Sequence, residues 1–525
     1  MNTPTQKIII KLSNSTVKSR QILFNINKQI SKEFKVEPIS NTVLLKTYHN
    51  LVESCKIAAD PQIENILKTR GVRSLSGIVV VSVLTKHYTC PGNCLYCPTE
   101  KNLPKSYVEM EPAVMRAQAN SFDPYKQTFS RLKALKLTGH NIQKINLRII
   151  GGTWSYYPKR YQTWFIKRCF EACNNFSGSR SKNSSIIKAQ KINETSKCRL
   201  VEISVETRQD YINLAEIKRL RQLGVTKVEL GIQSIYEDVL KLNRRGHNLE
   251  SSVQATKLLK NAGFKVAYQI MLNLPGSNYN RDLKMLKTIF LDERFQPDYL
   301  KIYPLALLRE TGVYKLYKQN KYCPYDLNTL TNLLIDIKKN IPPYVRIERI
   351  IRDIPPNIII EGGAKTTNLR QIIKDRLVKE NLACQCIRCR EVKLIQGKLK
   401  TVLIRREYKS SFGKEIFLSI EDKKQKTLYA LLRLRISNND LKYLKNAALV
   451  REIHTYGEAL EIGTTIKSAA QHRGFGAKLL KEAENIAKSE FHLSKMAVIA
   501  GIGAREYFRK FNYKLKNTYM FKLLS

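Results

Sequence analysis

The sequence predicts an α/β chain: a partial (β/α)6 barrel, then a connector, then a smaller α+β module. Six short runs carry the barrel prediction: 77–84, 144–152, 200–208, 227–234, 265–276 and 299–307. They are β-branched and nearly continuously apolar, as parallel strands buried on both faces must be. A helical stretch follows each run, so each reads as one β/α unit. Three cysteines, Cys90, Cys94 and Cys97, come directly after the first run. Barrels of this kind carry their chemistry there, at the carboxyl ends of the strands. With 525 residues, 43% of them hydrophobic, the chain is long enough for several cores.

Residues 1–70 read as a basic helical segment. Val17, Ile22, Leu23, Ile26 and Ile30 recur at helical spacing, interleaved with Lys18, Arg20, Lys28 and Lys32. The first acidic residue is Glu33. An RNA-binding segment fits this better than an organellar presequence, which would be richer in arginine; a plain solvated face is the alternative. Residues 71–320 form the barrel. Within them, 174–197 is rich in Ser, Asn and Lys and predicts a mobile basic loop.

The connector, 321–395, holds Cys384, Cys386 and Cys389. Three thiols in six residues suggest zinc, with Cys323 as a distant fourth ligand; thiols that merely lie close together are the alternative. Residues 396–525 form the second module. It reads as a meander (415–420, 427–435, 449–456), a helix at 474–489, a strand at 496–500, a helix near 505–510 and a last strand at 519–523.

The formal net charge is +47, with 91 basic against 44 acidic side chains. Biased composition contributes, but a charge this large strongly favours a polyanion through counterion release, and nucleic acid is the default partner. Six of the 11 cysteines fall in two tight clusters, which is metal-like and suits a reducing, cytoplasmic setting. No apolar run reaches the ~18 residues of a membrane span.

The spacing C-x3-C-x2-C lets three thiolates hold three corners of an iron–sulfur cube. The fourth iron then stays open to a small molecule, the arrangement of radical S-adenosylmethionine (SAM) enzymes; Tyr96, just before the third cysteine, fits them too. A zinc site completed by His87 is the competing reading. In the second module, QHRGFGA at 471–477 matches the Q/R-x-x-G-x-G/A pattern of acetyl-CoA-binding, GNAT-type acetyltransferases. Glycines at a helix start free successive backbone amides for a pyrophosphate. Tyr507, near the C-terminus, stands where this fold places a proton donor for the leaving CoA thiolate; a packed aromatic is the alternative.

The pairing of these two modules resembles the catalytic subunit of Elongator, from about residue 70 onward, in its short-spacing bacterial and archaeal form. The residues that carry the likeness are CPGNCLYCP (90–98), GGT (151–153), VETR (205–208), ELGIQS (229–234), RGH (245–247), LKIYP (300–304), RDIP (352–355), NLR (368–370), REIH (451–454) and QHRGFG (471–476). The resemblance implies a tRNA-modifying acyltransferase that forms 5-carboxymethyluridine at the wobble position. Its 5′-deoxyadenosyl radical takes hydrogen from the methyl group of an acetyl unit, and the carbon radical adds to carbon 5 of the uridine. Thioester hydrolysis then leaves the carboxymethyl group.

By the same resemblance Cys90, Cys94 and Cys97 hold a [4Fe-4S] cluster, and Gly151, Gly152, Thr153 and Glu206 neighbour SAM. Lys144 contacts acetyl-CoA, and Lys301 faces the barrel centre. Glu452, Ile453, His454 and Thr455 line the acetyl end, and Phe475, Gly476 and Ala477 the pyrophosphate. Implied cofactors are the cluster, SAM and acetyl-CoA, with zinc as a further candidate; implied partners are tRNA, an external electron donor, and accessory subunits or a second copy. The chain departs from the family pattern in three places, the first being a spacing of three residues between its first two cluster cysteines where eukaryotic members have nine. Phe508 follows Tyr507 where two tyrosines are common, so thioester cleavage falls to Tyr507 or water. No histidine closely follows the connector cysteines, which leaves the zinc set open. Two other classes compete: a protein lysine acetyltransferase, which would not need SAM, and a non-catalytic tRNA-binding scaffold. A methylthio-transferase would want further cluster ligands and no CoA module.

Overall fold

The computed structural model describes residues 3–69, 76–178, 185–393, 400–457 and 474–524. The six predicted runs form parallel strands β1 (Val79–Leu84), β2 (Lys144–Ile150), β3 (Arg199–Thr207), β4 (Lys227–Gln233), β5 (Lys265–Leu272) and β6 (Tyr299–Pro304). A seventh, β7 (Arg346–Arg349), pairs in parallel with β6, so the sheet runs β1 to β7 in chain order. The six-strand expectation is therefore one short. Four residues reading Arg-Ile-Glu-Arg carry no apolar run, because one face of β7 lines a polar lumen. The sheet curls without closing and leaves β1 and β7 as its two edges.

The second sheet has β8 (Thr401–Ser410), β9 (Gly413–Asp422), β10 (Leu428–Ile436), β11 (Ala448–Thr455), β12 (Lys495–Val498), β13 (Lys514–Lys516) and β14 (Tyr519–Leu523), in the order β13-β14-β12-β11-β10-β9-β8. Sequence reading missed β8, whose polar edge-strand pattern hides it, and the short β13. All pairs are antiparallel except β11 with β12. That parallel pairing covers only Ala448–Val450 against Met496–Val498. From Arg451 onward β11 leaves β12, and the amphipathic helix Phe475–Ser489 packs beside β9, β10 and β11 with Leu479, Leu480, Ala483, Ile486 and Ala487 buried.

The N-terminal residues form four helices, Pro4–Ser13, Arg20–Glu33, Asn41–Glu53 and Pro61–Leu67, around their own core of Ile8, Leu12, Ile26, Leu44 and Leu67, among others. The predicted loop at 174–197 contains helix among its described residues: Lys159–Phe176 runs into it, and Ile186–Asn193 follows. Asn174 and Asn193 are fully buried and bond each other (2.8 Å), and Asn174 also donates to the Ala189 carbonyl. Mutual pairing of buried amides is invisible to composition. Positions 179–184 lie outside the described residues.

A buried ion network joins the two sheets. Asp298, just before β6, accepts two bonds from Arg451 Nη1 (2.9 and 3.0 Å) and one from Nη2 (2.5 Å), and lies 3.6 Å from Arg433. Arg433 donates to Glu452 (2.8 Å), which also accepts the Tyr299 hydroxyl of β6 (2.5 Å). The end of β11 is tied to β1 as well: Ser76 bridges Gly457, and His454 Nε2 meets the Ser76 carbonyl at 2.8 Å. Among the described residues, no helix is long and apolar enough to cross a membrane.

Candidate active site

One cavity of 970 Å³ runs through the barrel lumen. At the carboxyl end of the strands it is lined by Cys90, Cys94, Cys97, Gly152, Thr153 and Glu206; at the other end it reaches Tyr299, His454 and Tyr456. Arginine and lysine outnumber carboxylates on its wall.

The cysteine loop is held by cations. Arg245 donates to Cys94 Sγ at 3.5 Å and to the Gly231 carbonyl at 2.7 Å. Arg208 donates to the Arg245 and Gly246 carbonyls and grips Asp210 through two bonds. A Cβ on Gly92 would sit 2.5 Å from Arg208 Nη1, so a larger residue in the turn between the first two cysteines would displace that guanidinium. Hydrogen bonding from Cys97, and the Arg245 guanidinium acting against burial, bring the Cys94 thiol down to about 4. A thiolate is the ligand form, and Arg245 Nε is buried without a partner. Three thiols on one loop against buried cations fit an anionic iron–sulfur group. His87, the zinc alternative, instead meets the Leu103 carbonyl at 2.7 Å.

Gly151 and Gly152 have φ of +129° and +96°. A Cβ on Gly151 would fall 2.0 Å from Thr85 Oγ1, and the Gly151 carbonyl accepts from Thr85 and Tyr157. Glu206, at the end of β3, accepts from Tyr107 (3.0 Å) and Lys301 (3.1 Å). Lys301 is buried at the barrel centre, as the resemblance implied, between Glu206 and Glu229. Burial and Arg148 work to strip its proton, but Glu229, Tyr303 and Glu206 outweigh them and keep it ammonium.

At the far end, His454 stacks on Tyr456 (4.3 Å between centroids), and burial lowers its pKa, which favours neutral imidazole. Glu452 does not line this cavity; its carboxylate is spent on Arg433 and Tyr299. Ile453 and Thr455 follow it on β11. Gly474 starts the helix Phe475–Ser489 at φ +76° with no side-chain cap. Among the described residues nothing caps the first-turn amides at Phe475, Gly476 and Ala477, the kind of group that binds an anion at a helix start. Tyr507 stands over this turn: a Cβ on Gly476 would lie 2.5 Å from its hydroxyl. Positions 471–473 of the glycine pattern lie outside the described residues.

Phe508 and Cys323 are placed away from their predicted sites. Phe508 is buried in the core, edge-on to Tyr507 and Tyr513. Lys144 opens β2 at the amino end of the barrel, the end at which the cavity reaches Tyr299, His454 and Tyr456, with its pKa lowered by burial. Cys384, Cys386 and Cys389 do gather, their sulfurs within 4.8 Å of one another, and the buried Lys338 reaches Cys389 Sγ at 3.5 Å. Cys323 does not join that group; its thiol faces the Pro324 carbonyl.

Residues 84–289 match the family model of the Radical SAM superfamily, and 297–379 that of the Radical_SAM C-terminal domain. The tRNA uridine(34) acetyltransferase of Methanocaldococcus infernus is 42% identical over 87% of this chain and 88% of its own length. The corresponding enzyme of Dehalococcoides mccartyi is 43% identical over 86% and 99%, and Elongator complex protein 3 of Homo sapiens 36% over 89% and 88%. The chain belongs to the Elongator complex protein 3 family. A solved structure of a family member, the archaeal Methanocaldococcus infernus Elp3 lacking N-terminal residues 1–46, superposes with a TM-score of 0.75 at 40% identity, over 86% of this chain and all of that one. Arg208 and Arg245, which brace the cysteine loop, sit in two of the runs that carry the family likeness. Their role was missed because a bracing arginine has no spacing signature of its own.

Proposed function

We propose that this chain is a radical SAM enzyme that modifies the wobble uridine of tRNA, forming 5-carboxymethyluridine from acetyl-CoA. The single observation that carries the reading is the shared lumen: the cysteine loop and the end of β11 open into one cavity. A reactive centre at one end and an acyl donor at the other are what joining an acyl carbon to a base requires. Cys90, Cys94 and Cys97 would hold the [4Fe-4S] cluster, which with SAM supplies a hydrogen-abstracting radical. The chain's own residues position and protect. Arg208 and Arg245 neutralise the thiolate loop, and Lys301 with Glu206 and Glu229 forms a fixed charged layer across the lumen.

We read residues 396–525 as a GNAT-type module. The parting of β11 from β12 and the uncapped helix start at Gly474 support this. The amides of Phe475–Ala477 would take the pyrophosphate of acetyl-CoA, with His454 near the acetyl end. Residues 1–70 serve as an RNA-binding segment, 71–320 as the catalytic barrel and 321–395 as the connector. Cys384, Cys386 and Cys389 form a structural zinc site there, with a fourth ligand still to be found.

The test is anaerobic. The chain with its cluster restored is given reductant, SAM, acetyl-CoA and unmodified tRNA, and the nucleosides are read by mass spectrometry. 5-Carboxymethyluridine is the expected product. Acetylated protein formed without SAM would favour the protein acetyltransferase, and tight tRNA binding with no SAM cleavage the scaffold.

The Tyr507 hydroxyl stands at the glycine turn, and burial pushes its pKa up to about 12, so it stays protonated at neutral pH and has a proton to give. Tyr507→Phe should slow thioester hydrolysis by about 10²–10⁴-fold, the usual worth of a positioned acid. SAM cleavage read in parallel separates this from damage to the barrel. Phe508→Tyr should restore nothing, because position 508 points into the core.

A further inference from the structure

Three tyrosines come from three successive strand ends on the catalytic face. Tyr88 follows β1, Tyr156 ends the short helix Trp154–Tyr156 after β2, and Tyr211 ends the short helix Gln209–Tyr211 after β3. Their rings touch in a row: Tyr88 to Tyr156 at 5.8 Å between centroids, and Tyr156 to Tyr211 at 5.7 Å, edge-on. All three are partly exposed, Tyr156 at 38%. Chains that only need to fill a core bury such rings.

The row is rigidly backed. Tyr88 stacks on the buried Tyr157 (5.0 Å), which stacks on Tyr161 (5.2 Å), and Tyr161 meets Trp164 at 5.6 Å. The Ser155 amide donates to Thr207, and Arg208 fixes the Tyr211 turn through Asp210. The position is informative. Tyr88 lies two residues before Cys90, and Thr153 and Arg208, neighbours of the other two turns, line the cavity mouth. Lys86, on the loop after β1, and Lys159 and Arg160, which open the helix Lys159–Phe176, are exposed nearby in the chain.

Aromatic faces beside a cationic groove are how proteins hold single-stranded nucleic acid: each base stacks on a ring while the phosphates follow the charge. We propose that Tyr88, Tyr156 and Tyr211 form a stacking platform for unpaired nucleobases next to the base that enters the barrel. The inference rests on the RNA reading above and adds how the loop is held. Stacking neighbours on the rim would offset the unstacking cost of turning the target base into the lumen.

The platform predicts a preference for looped over paired RNA. Binding of the full chain to an anticodon stem-loop and to a fully paired duplex of the same length is measured across a salt series. Tyr156→Leu and Tyr211→Leu should each weaken stem-loop binding by about 10-fold, leave duplex binding unchanged, and leave the salt slope unchanged because no phosphate contact is lost. Tyr156→Phe and Tyr156→Trp keep a ring face and should bind the stem-loop as the native chain does. Wild-type stem-loop affinity in the Leu variants overturns the proposal. So does an equal loss on stem-loop and duplex. If a Leu variant misfolds, loss of stem-loop binding in a folded Tyr156→Trp chain overturns it equally. A native chain that modifies tRNA while the Leu variants bind normally removes the platform alone; a native chain that neither binds nor modifies tRNA removes the functional reading itself.

Discussion

Replacing Cys94 by alanine is expected to leave a folded chain that makes no detectable 5-carboxymethyluridine. Cys94 is the most enclosed of the three loop cysteines, and its sulfur is the one Arg245 addresses. Trimming one buried sulfur costs stability on the order of 1 kcal/mol, a small part of the margin of a domain this size. The chemical loss is far larger, because two thiolates cannot hold three corners of a cube. The substitution also leaves the guanidinium of Arg245, buried at 7% exposure, with the Gly231 carbonyl as its remaining bond. The reading is iron content per chain, SAM cleavage and tRNA nucleosides measured side by side. Lost iron with an unchanged circular dichroism spectrum is the expected pattern. Undiminished product in this variant would mean the loop is not the reactive centre. Arg245→Met separates positioning from ligation: iron should still bind, more weakly, and SAM cleavage should fall with it.

The barrel was legible because its strands are buried on both faces and so read as unbroken apolar runs. The same physics hid β7: Arg346 and Glu348 point into a charged lumen, and a strand with one polar face, four residues long, resembles a loop. It likewise hid β8, an edge strand whose residues are nearly all at intermediate exposure and so show no buried face. The cysteine triad, the glycine turn and Tyr507 were visible because each chemistry demands a residue type at a spacing. What surrounds them was not. Arg245 reaches Cys94 across 151 positions of chain, Tyr299 reaches Glu452 across 153, and Tyr507 meets Gly476 only once both helices dock. Glu452 shows what a motif leaves out: REIH marks the family, and only the folded chain shows its carboxylate accepting from Arg433 and Tyr299 in the joint between the sheets.

That joint gives the largest expected change in stability. Asp298 is fully buried and faces Arg451 directly, with Arg433 at 3.6 Å and Lys260 at 3.9 Å. It also accepts the Val266 amide at 2.9 Å. Asp298→Ala leaves three cations in a dry interface with one carboxylate fewer, and removing one partner of a buried pair typically costs about 3–5 kcal/mol. Urea unfolding of the native and variant chains measures it, and a difference within about 0.5 kcal/mol, the range of neutral surface changes, would show the network to be inert. The pH dependence has a definite sign. Burial alone would raise both carboxyls. Arg451, Lys260 and Arg433 instead hold Asp298 well below the usual range, and Arg433 and Lys265, with the Tyr299 hydrogen bond, bring Glu452 down to about 2. A carboxyl depressed on folding stabilises above its unfolded pKa of ~4 and loses that contribution as pH falls through its folded value. The native chain should therefore weaken steeply below pH ~4, and Asp298→Ala, already without its share, more gently. Because the same network sets the end of β11 against the lumen, the variant should also lose product more than SAM cleavage. The acyl end is displaced, and the cysteine loop is not.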